Sequence, residues 1–348
     1  MRMLPFLVVI LSMLAGLHAY VGARLAAAEL LPRALAFPIL FALLAVLAVA
    51  MALGRRGPTG PVATGAIWIG YVWLGTLLLL FTASLAGDLL WFGAHACQRL
   101  SHQDLTLVAL WGRRTFFLLA FFAALWSLVE ARRPPRIREV EVEVPGLPMA
   151  FDGFRIAHVT DTHISALLGR SWSQSLVMRI NAARPDLVVH TGDFADGPVA
   201  TLSSSVEPFS RLAAPHLFVT GNHESYSGLQ AWDAEVRSLG FAVLNNQAYV
   251  ITRDTARLVI GGVTDFNQGS RMPGETSDPS KAFSGTPEGT RILLAHQPRS
   301  ALAAQGLHVA LQLSGHTHGG QIWPWHFFVR LQQPANSGFS KIGDVLVF

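Results

Sequence analysis

The sequence predicts two unlike halves in one chain of 348 residues: an N-terminal multi-span α-helical membrane region followed by an α/β domain. Three observations predict it. Apolar residues make up 51% of the chain and charged residues only 14%, with the apolar excess gathered before residue 130, which is more than a water-soluble domain carries. Four runs in that part approach or reach the length of a hydrocarbon core. Beyond residue 150, short β-rich runs alternate with helix-permissive segments, the order of an α/β fold. No solenoid-type repeat interrupts this division, and the single cysteine, Cys97, excludes an intrachain disulfide framework.

The candidate spans are residues 4–20, 34–53, 66–90 and 115–129, the last with upstream help from 105–111. The first resembles a signal peptide in its Arg2 and apolar middle. Three further spans follow, however, and Ala19-Tyr20-Val21 lacks a small-residue cleavage site, which favours a retained anchor. Arg113-Arg114 at the edge of the fourth leaves a re-entrant or interfacial helix open as the alternative to a crossing. Four spans put both ends on one side. Arg2, Arg55, Arg56, Arg132, Arg133, Arg136 and Arg138 lie on the side of the α/β domain, and Arg24, Arg33, Arg99, Arg113 and Arg114 lie opposite. That 7 to 5 margin leans towards a cytoplasmic α/β domain, and one miscounted span would reverse it. Asp88 falls late in the third run, ahead of His95 and His102; access to interfacial water is the simplest expectation for it, although an ionisable group in a membrane segment is a functional candidate by default.

Residues 1–131 thus form the membrane region and 132–150 a linker with an edge strand. Pro134-Pro135 stops the helix and extends the chain. From Glu139 to Val144 acidic residues alternate with valines, the pattern of a half-exposed strand, with Ile137 out of phase. Charge divides at the same place: 12 basic against 7 acidic residues up to position 150, and 14 against 15 after it. The high pI belongs to the membrane part, where arginines meet anionic head groups. Without a basic stripe the α/β domain is not expected to bind nucleic acid.

In residues 151–348, β-rich runs at 155–160, 186–191, 216–220, 291–295 and 309–313 each end in polar punctuation. They lead into Asp161-Thr162-His163, Gly192-Asp193, Gly221-Asn222-His223-Glu224, His296, and Ser314-Gly315-His316-Thr317-His318-Gly319-Gly320-Gln321. Helix-permissive segments lie at 171–183, 202–212 (interrupted by Pro208) and 229–239. Strand-to-loop junctions on one sheet edge are where open α/β folds gather their sites. Two alternating histidines between glycines, which let backbone and metal approach closely, form half of a ligand cluster.

The order and spelling of these five blocks over residues 155–321 resemble the calcineurin-like metallophosphoesterase superfamily, with its D-x-H, G-D, G-N-H-[DE], lone His and G-H-x-H. Residues 192–197, Gly261-Gly262-Val263-Thr264-Asp265 and Gly319-Gly320-Gln321 are similar to its bacterial, membrane-attached branch. The resemblance implies a layered β-sandwich flanked by helices that holds two divalent metal ions. Asp161, His163 and His318 would hold one ion, Asn222, His296 and His316 the other, and Asp193 would bridge them. His223 would be the catalytic residue facing the phosphate, as charge stabiliser or general acid. Imidazole and carboxylate donors suit Mn, Fe or Zn. Two ions about 3.5–4 Å apart clamp a phosphoryl group and activate water.

The implied function is a membrane-anchored hydrolase of phosphoester or pyrophosphate bonds in a bacterial inner membrane, with membrane lipids as neighbours. A lipid-linked substrate such as UDP-diacylglucosamine is the finer expectation. The alternative is a non-catalytic membrane sensor or scaffold that retains the fold. Two departures from the pattern support that rival: Ile164-Ser165 follows the first block where glycine is usual two residues after the histidine, and the chain stops at Val345-Leu346-Val347-Phe348, an apolar run without its expected partner strand, as a C-terminally truncated domain would. Outside the blocks, His158, His190 and His308 read as packed or hydrogen-bonded histidines. Asp196 and Asp265 read as turn residues or supports of ligands, and Glu224 equally as a support or as the first-turn acid of a helix.

Overall fold

Each apolar run folds as a helix: α1 (Met3–Ala27), α2 (Arg33–Arg56), α3 (Pro61–Ser101) and α4 (Thr106–Ala131). The computed structural model describes residues 3–56, 60–270, 272, 274–321 and 326–348, and divides into two units, Met1–Arg133 and Pro134–Phe348. All four helices are long and apolar enough to cross a membrane. The fourth is one continuous 26-residue helix that absorbs 105–111 almost entirely, so its length matches a crossing and exceeds what a re-entrant segment needs. α3 starts with Pro61 at its first position, where the missing N–H costs nothing. Its 41 residues extend about 60 Å, roughly twice a hydrocarbon core.

Asp88 does not rely on water. Its carboxylate accepts from Tyr20 Oη at 2.7 Å, Arg24 Nε at 2.8 Å and Arg113 Nη2 at 3.0 Å, joining α1, α3 and α4. Arg114 pairs similarly with Glu29 at 2.6 Å. A buried His18 donates through Nδ1 to the Leu14 carbonyl and accepts Trp73 Nε1–H at 2.9 Å. Of the arginines used for orientation, Arg2 lies outside the described residues, as do the side chains of Arg55 and Arg56.

In the second unit the alternating order gives β1 (Ile156–Val159), α5 (Arg170–Ala182), β2 (Leu187–His190), α6 (Val199–Val206), β3 (His216–Phe218), α7 (Asn222–Ser227), α8 (Leu229–Ser238) and β4 (Ala242–Val243). There follow β5 (Gln247–Arg253), β6 (Ala256–Gly262), α9 (Pro279–Phe283), β7 (Thr290–Leu294), β8 (Val309–Leu313), α10 (His326–Val329), β9 (Ser340–Ile342) and β10 (Val345–Val347). β1-β2-β3-β4 make one parallel sheet, and β5-β6-β7-β8-β10-β9 a mixed one.

The side-chain period of two sets the layers. Leu187 and Val189 of β2 join Leu217, Leu258, Ile260, Ile292, Leu294 and Leu311 in the core between the sheets. Val188 turns the other way, to a cluster with Leu176 and Ile180 of α5, Leu202 and Val206 of α6, and Trp232 and Val236 of α8. Those helical pairs are four apart, the spacing of one buried face. Leu293 and Val259 face a third cluster on the outer side of the mixed sheet. The result is a layered sandwich of two sheets flanked by helices.

Two expectations need correction. Residues 134–148 contain no strand. The alternation is present in burial from residue 141 on, since Val142 packs on the inter-sheet core and Val144 is half-buried while Glu141 and Glu143 are exposed, as Glu139 and Val140 are before them, but a period of two specifies which side chains turn inward and supplies no hydrogen-bonding neighbour. An ion pair from Arg155 to Glu139 at 3.1 Å holds the segment instead. At the other end, the final apolar run has partners on both sides: β10 pairs with β8 in parallel and with β9 antiparallel.

Candidate metal centre

Every polar block leaves the C-terminal end of a strand, and the two sheets bring these ends together. Asp161 and His163 follow β1, Asp193 follows β2, Asn222 and His223 open α7 after β3, His296 follows β7, and His316 and His318 follow β8. The chain must turn sharply there: Asp161, His163, Asp193, His316 and His318 all have φ between 43° and 69°, the left-handed region that costs non-glycine residues energy and collects at functional sites. Gly315 has a steric reason. A Cβ there would lie 1.9 Å from Thr160 Oγ1 and 2.1 Å from Asp161 Oδ2, so only glycine lets that carboxylate pass.

Two groups of donors result. In the first, His163 Nε2 lies 3.1 Å from His318 Nε2 and 3.9 Å from Asp161 Oδ1, and His318 Nε2 lies 3.3 Å from the same oxygen. In the second, His296 Nε2 lies 3.2 Å from Asn222 Oδ1, from Asp193 Oδ2 and from His316 Nδ1. Asp193 Oδ2 also lies 3.9 Å from His163 Nε2, and so stands between the groups. Asp161, His163 and His318, and separately Asp193, His296 and His316, are close enough to share an ion, as are His163, Asp196 and His223 at the edge of the centre.

Partners elsewhere fix which nitrogens face inward. His163 Nδ1 donates to Asp196 Oδ1 at 3.0 Å, and His296 Nδ1 donates to the Thr191 carbonyl at 2.8 Å. Both Nε2 atoms therefore turn lone pairs towards other lone pairs at hydrogen-bond distance, an arrangement that needs a proton or a cation at its centre. The donor set of imidazoles, carboxylates and one amide oxygen fits divalent Mn, Fe or Zn.

The electrostatics agree. Burial would lower the pKa of His296, but the Asp193 carboxylate outweighs it and raises the value to about 10. His316 moves down to about 4, through burial and then the neighbouring charge of His296. Asp193 is held below the usual carboxylate range by His296, against the effect of its own burial. Burial lowers the pKa values of His163 and His223 as well, but hydrogen bonding to Asp196 outweighs it and raises both.

His223 stands at the edge of the centre. Its Nδ1 donates to Asp196 Oδ1 at 2.5 Å, and its Nε2 lies 3.8 Å from Asp193 Oδ2. Asp196 thus holds two site histidines through one oxygen, the supporting one of the two roles that its place three residues after Asp193 suggests. Glu224 fills both roles expected of it. It is an acid in the first turn of α7, and its carboxylate accepts from the N–H groups of Gly221 (2.6 Å), Phe194 (2.7 Å) and Asp193 (3.1 Å), clamping two ligand loops together.

Behind the centre, buried Asp265 accepts from Gln297 Nε2 at 2.7 Å, and Gln333 donates to Gln297 Oε1 at 3.0 Å, bracing the residue next to His296. Sequence alone offered no signal for the glutamines. His158 is half-buried against Thr191 and His190 buried against Thr162, and desolvation lowers their pKa values to about 4 and about 3. His308 is exposed ahead of β8. Ser165 needs no glycine, because its φ lies outside the left-handed region, and Ile164 packs in the helix-side core.

Residues 154–320 match the family described as calcineurin-like phosphoesterase. A transmembrane protein with metallophosphoesterase domain from Danio rerio is 35% identical over 245 residues, which are 67% of this chain and 56% of the relative. The metallophosphoesterase YkuE of Bacillus subtilis is 35% identical over 51% of this chain and 62% of its own length, and a metallophosphoesterase of Aquifex aeolicus is 31% identical over 54% and 71%. The chain spans about half the length of the animal relatives it matches. Its own helices make it a membrane protein. With the five blocks in place and a relative covered over most of its length, the chain belongs to the calcineurin-like phosphoesterase family.

Proposed function

We propose that this protein is a membrane-anchored, dinuclear-metal hydrolase of phosphoester or pyrophosphate bonds. The observation that carries the reading is the pair of inward-facing acceptor groups, each with a committed outer hydrogen bond, joined by Asp193. Asp161, His163 and His318 hold one ion and Asn222, His296 and His316 the other, with Asp193 shared. When bound, such ions polarise the phosphoryl oxygens and lower the pKa of an attacking water.

The remaining work falls to the chain. Asp196 fixes the Nδ1–H of His223, so Nε2 faces the centre. Asp196 also favours the charged imidazolium, and a proton held at Nε2 would go to the leaving oxygen. Thr191 and Asp196 hold the ligand rings, and Glu224 holds the loops that carry Asp193 and Asn222. Pre-set donors of this kind spend no reorganisation at the reacting step.

Four apolar helices in the same chain favour a lipid-linked phosphoester or pyrophosphate, of which UDP-diacylglucosamine is one example. The arginine distribution favours a domain on the cytoplasmic face, and the resemblance to bacterial members favours a bacterial inner membrane. Metal analysis and hydrolysis of a chromogenic phosphodiester test the central reading. Two divalent ions per chain and activity lost to chelator are expected, with metal affinity and turnover both lowered by about 10² or more in Asp193→Asn, since removing even a support of a metal ligand costs about 10–100-fold. Metal-loaded protein inert towards phosphodiesters and pyrophosphates would instead favour a sensor or scaffold.

A further inference from the structure

Large apolar side chains stand in water beside the ligand loop of β8. Phe327 is 61% exposed and Leu331 83%, with exposed Arg330 between them. This segment is built onto the centre. A Cβ on Gly320, two residues after His318, would lie 2.1 Å from His326 Cβ, so α10 starts against the metal-ligand turn. At its far end, Arg299 donates to the Gln332 carbonyl while its guanidinium lies 5.0 Å above the ring of Phe266, itself 39% exposed and adjacent to Asp265. The segment that carries Phe327 and Leu331 is thus fixed at His326 to the ligand turn and at Gln332, through Arg299, to the loop of Phe266. Single exposed apolar residues are ordinary; a cluster bordering a polar catalytic cleft marks an interaction surface.

We propose that residues 326–331 form a lipid-contacting rim, which seats the metal centre at a bilayer surface and selects phosphoesters carried on acyl lipids. The occupant follows from two facts. Residues 134–148, part of which is fixed on the domain through Val142, join it to helices long and apolar enough to span a membrane, and even fully extended about fifteen residues reach at most about 50 Å, so the domain never leaves the neighbourhood of lipid. Arg330 also matches that surface, because a cation flanked by apolar side chains pairs with anionic head groups while its neighbours enter the acyl boundary. The substrate half of this inference rests on the hydrolase reading above; the docking half does not.

Full-length protein in phosphatidylethanolamine–phosphatidylglycerol nanodiscs tests both halves. In a Cys97→Ser background, a nitroxide on Leu331→Cys should collide with oxygen more than with a water-soluble nickel chelate, while one on Met178→Cys, a 61%-exposed position on α5, should show the reverse. The double variant Phe327→Ser, Leu331→Ser should lose about tenfold or more in kcat/KM on a lipid-embedded phosphodiester, as expected for apolar contacts removed from lipid. On a soluble chromogenic ester it should stay within about twofold. A label at 331 as wet as that at 178 overturns the docking, and soluble-ester hydrolysis would then leave the hydrolase reading standing. Equal losses on both esters make the rim part of the site and overturn lipid selection. If no ester is cleaved, the hydrolase reading fails and the nitroxide result alone decides the docking.

Discussion

His223 and His296 differ in what their second nitrogen touches, and their roles divide accordingly. His296 gives Nδ1–H to a backbone carbonyl and turns Nε2 into the ligand cluster, whereas His223 gives Nδ1–H to Asp196 and stands beside the cluster. His223→Ala should therefore lower turnover by about 10² to 10⁴, the scale of lost acid–base assistance, with metal content retained. Apo protein after that single change would make His223 a ligand. His296 makes a different prediction. Its pKa rises from an ordinary 6.5 to about 10 because, although burial opposes the charge, Asp193 lies 3.2 Å away. The charged form therefore stabilises the metal-free fold fully below pH 6.5, and that contribution is lost as pH climbs through about 10. Melting curves of the metal-free protein should fall between those limits and flatten in His296→Gln. Metal-loaded protein should lack this slope, because an ion then occupies Nε2 in place of the proton.

Among elements, α7 does more for the centre than its 6 residues suggest. Glu224 in its first turn collects three backbone N–H groups from two loops and is 1% exposed. Replacement by alanine strands all three donors in the interior, each at a cost of about 1–3 kcal/mol. Glu224→Ala should lose about 3 kcal/mol or more in denaturant unfolding, and Glu224→Gln, which keeps one carbonyl oxygen, distinctly less. Equal small losses would mean that water reaches those amides. This clamp was half legible in the sequence, where Glu224 stood in its block but its partners did not. The five site strands were legible because each joins a short β-rich run to a polar block. The hairpin of β5 and β6 is hard to see in the sequence, since its turn at Asp254, with φ 52°, lacks the glycine that usually marks such a turn. Residues 139–144 show the opposite error: periodicity reported the buried face of Val142 correctly and implied a ladder that no neighbour completes.

On the scale of the whole molecule, each of the two units has its own apolar cores, and all seven proposed ligand positions lie between 161 and 318 in the second. The first unit is tied by Asp88, whose carboxylate is only 14% exposed and balances Arg24 and Arg113 from two other helices. Removing that charge leaves two cations facing each other among apolar helices, a change that costs more than the pair contributes, because an uncompensated buried charge remains. Asp88→Asn should therefore loosen the contacts of α1 and α4 with α3 and lower the thermal stability of the helical unit in detergent. The metal content of the second unit and its hydrolysis of a soluble ester should stay unchanged. Intrinsic protease sensitivity offers the clearest reading, with new cleavage confined to 1–133 in Asp88→Asn. If the substitution emptied the metal centre or slowed soluble-ester hydrolysis while the helices stayed protease-resistant, the units would be coupled, and Asp88 would belong to the working site instead of to the anchor.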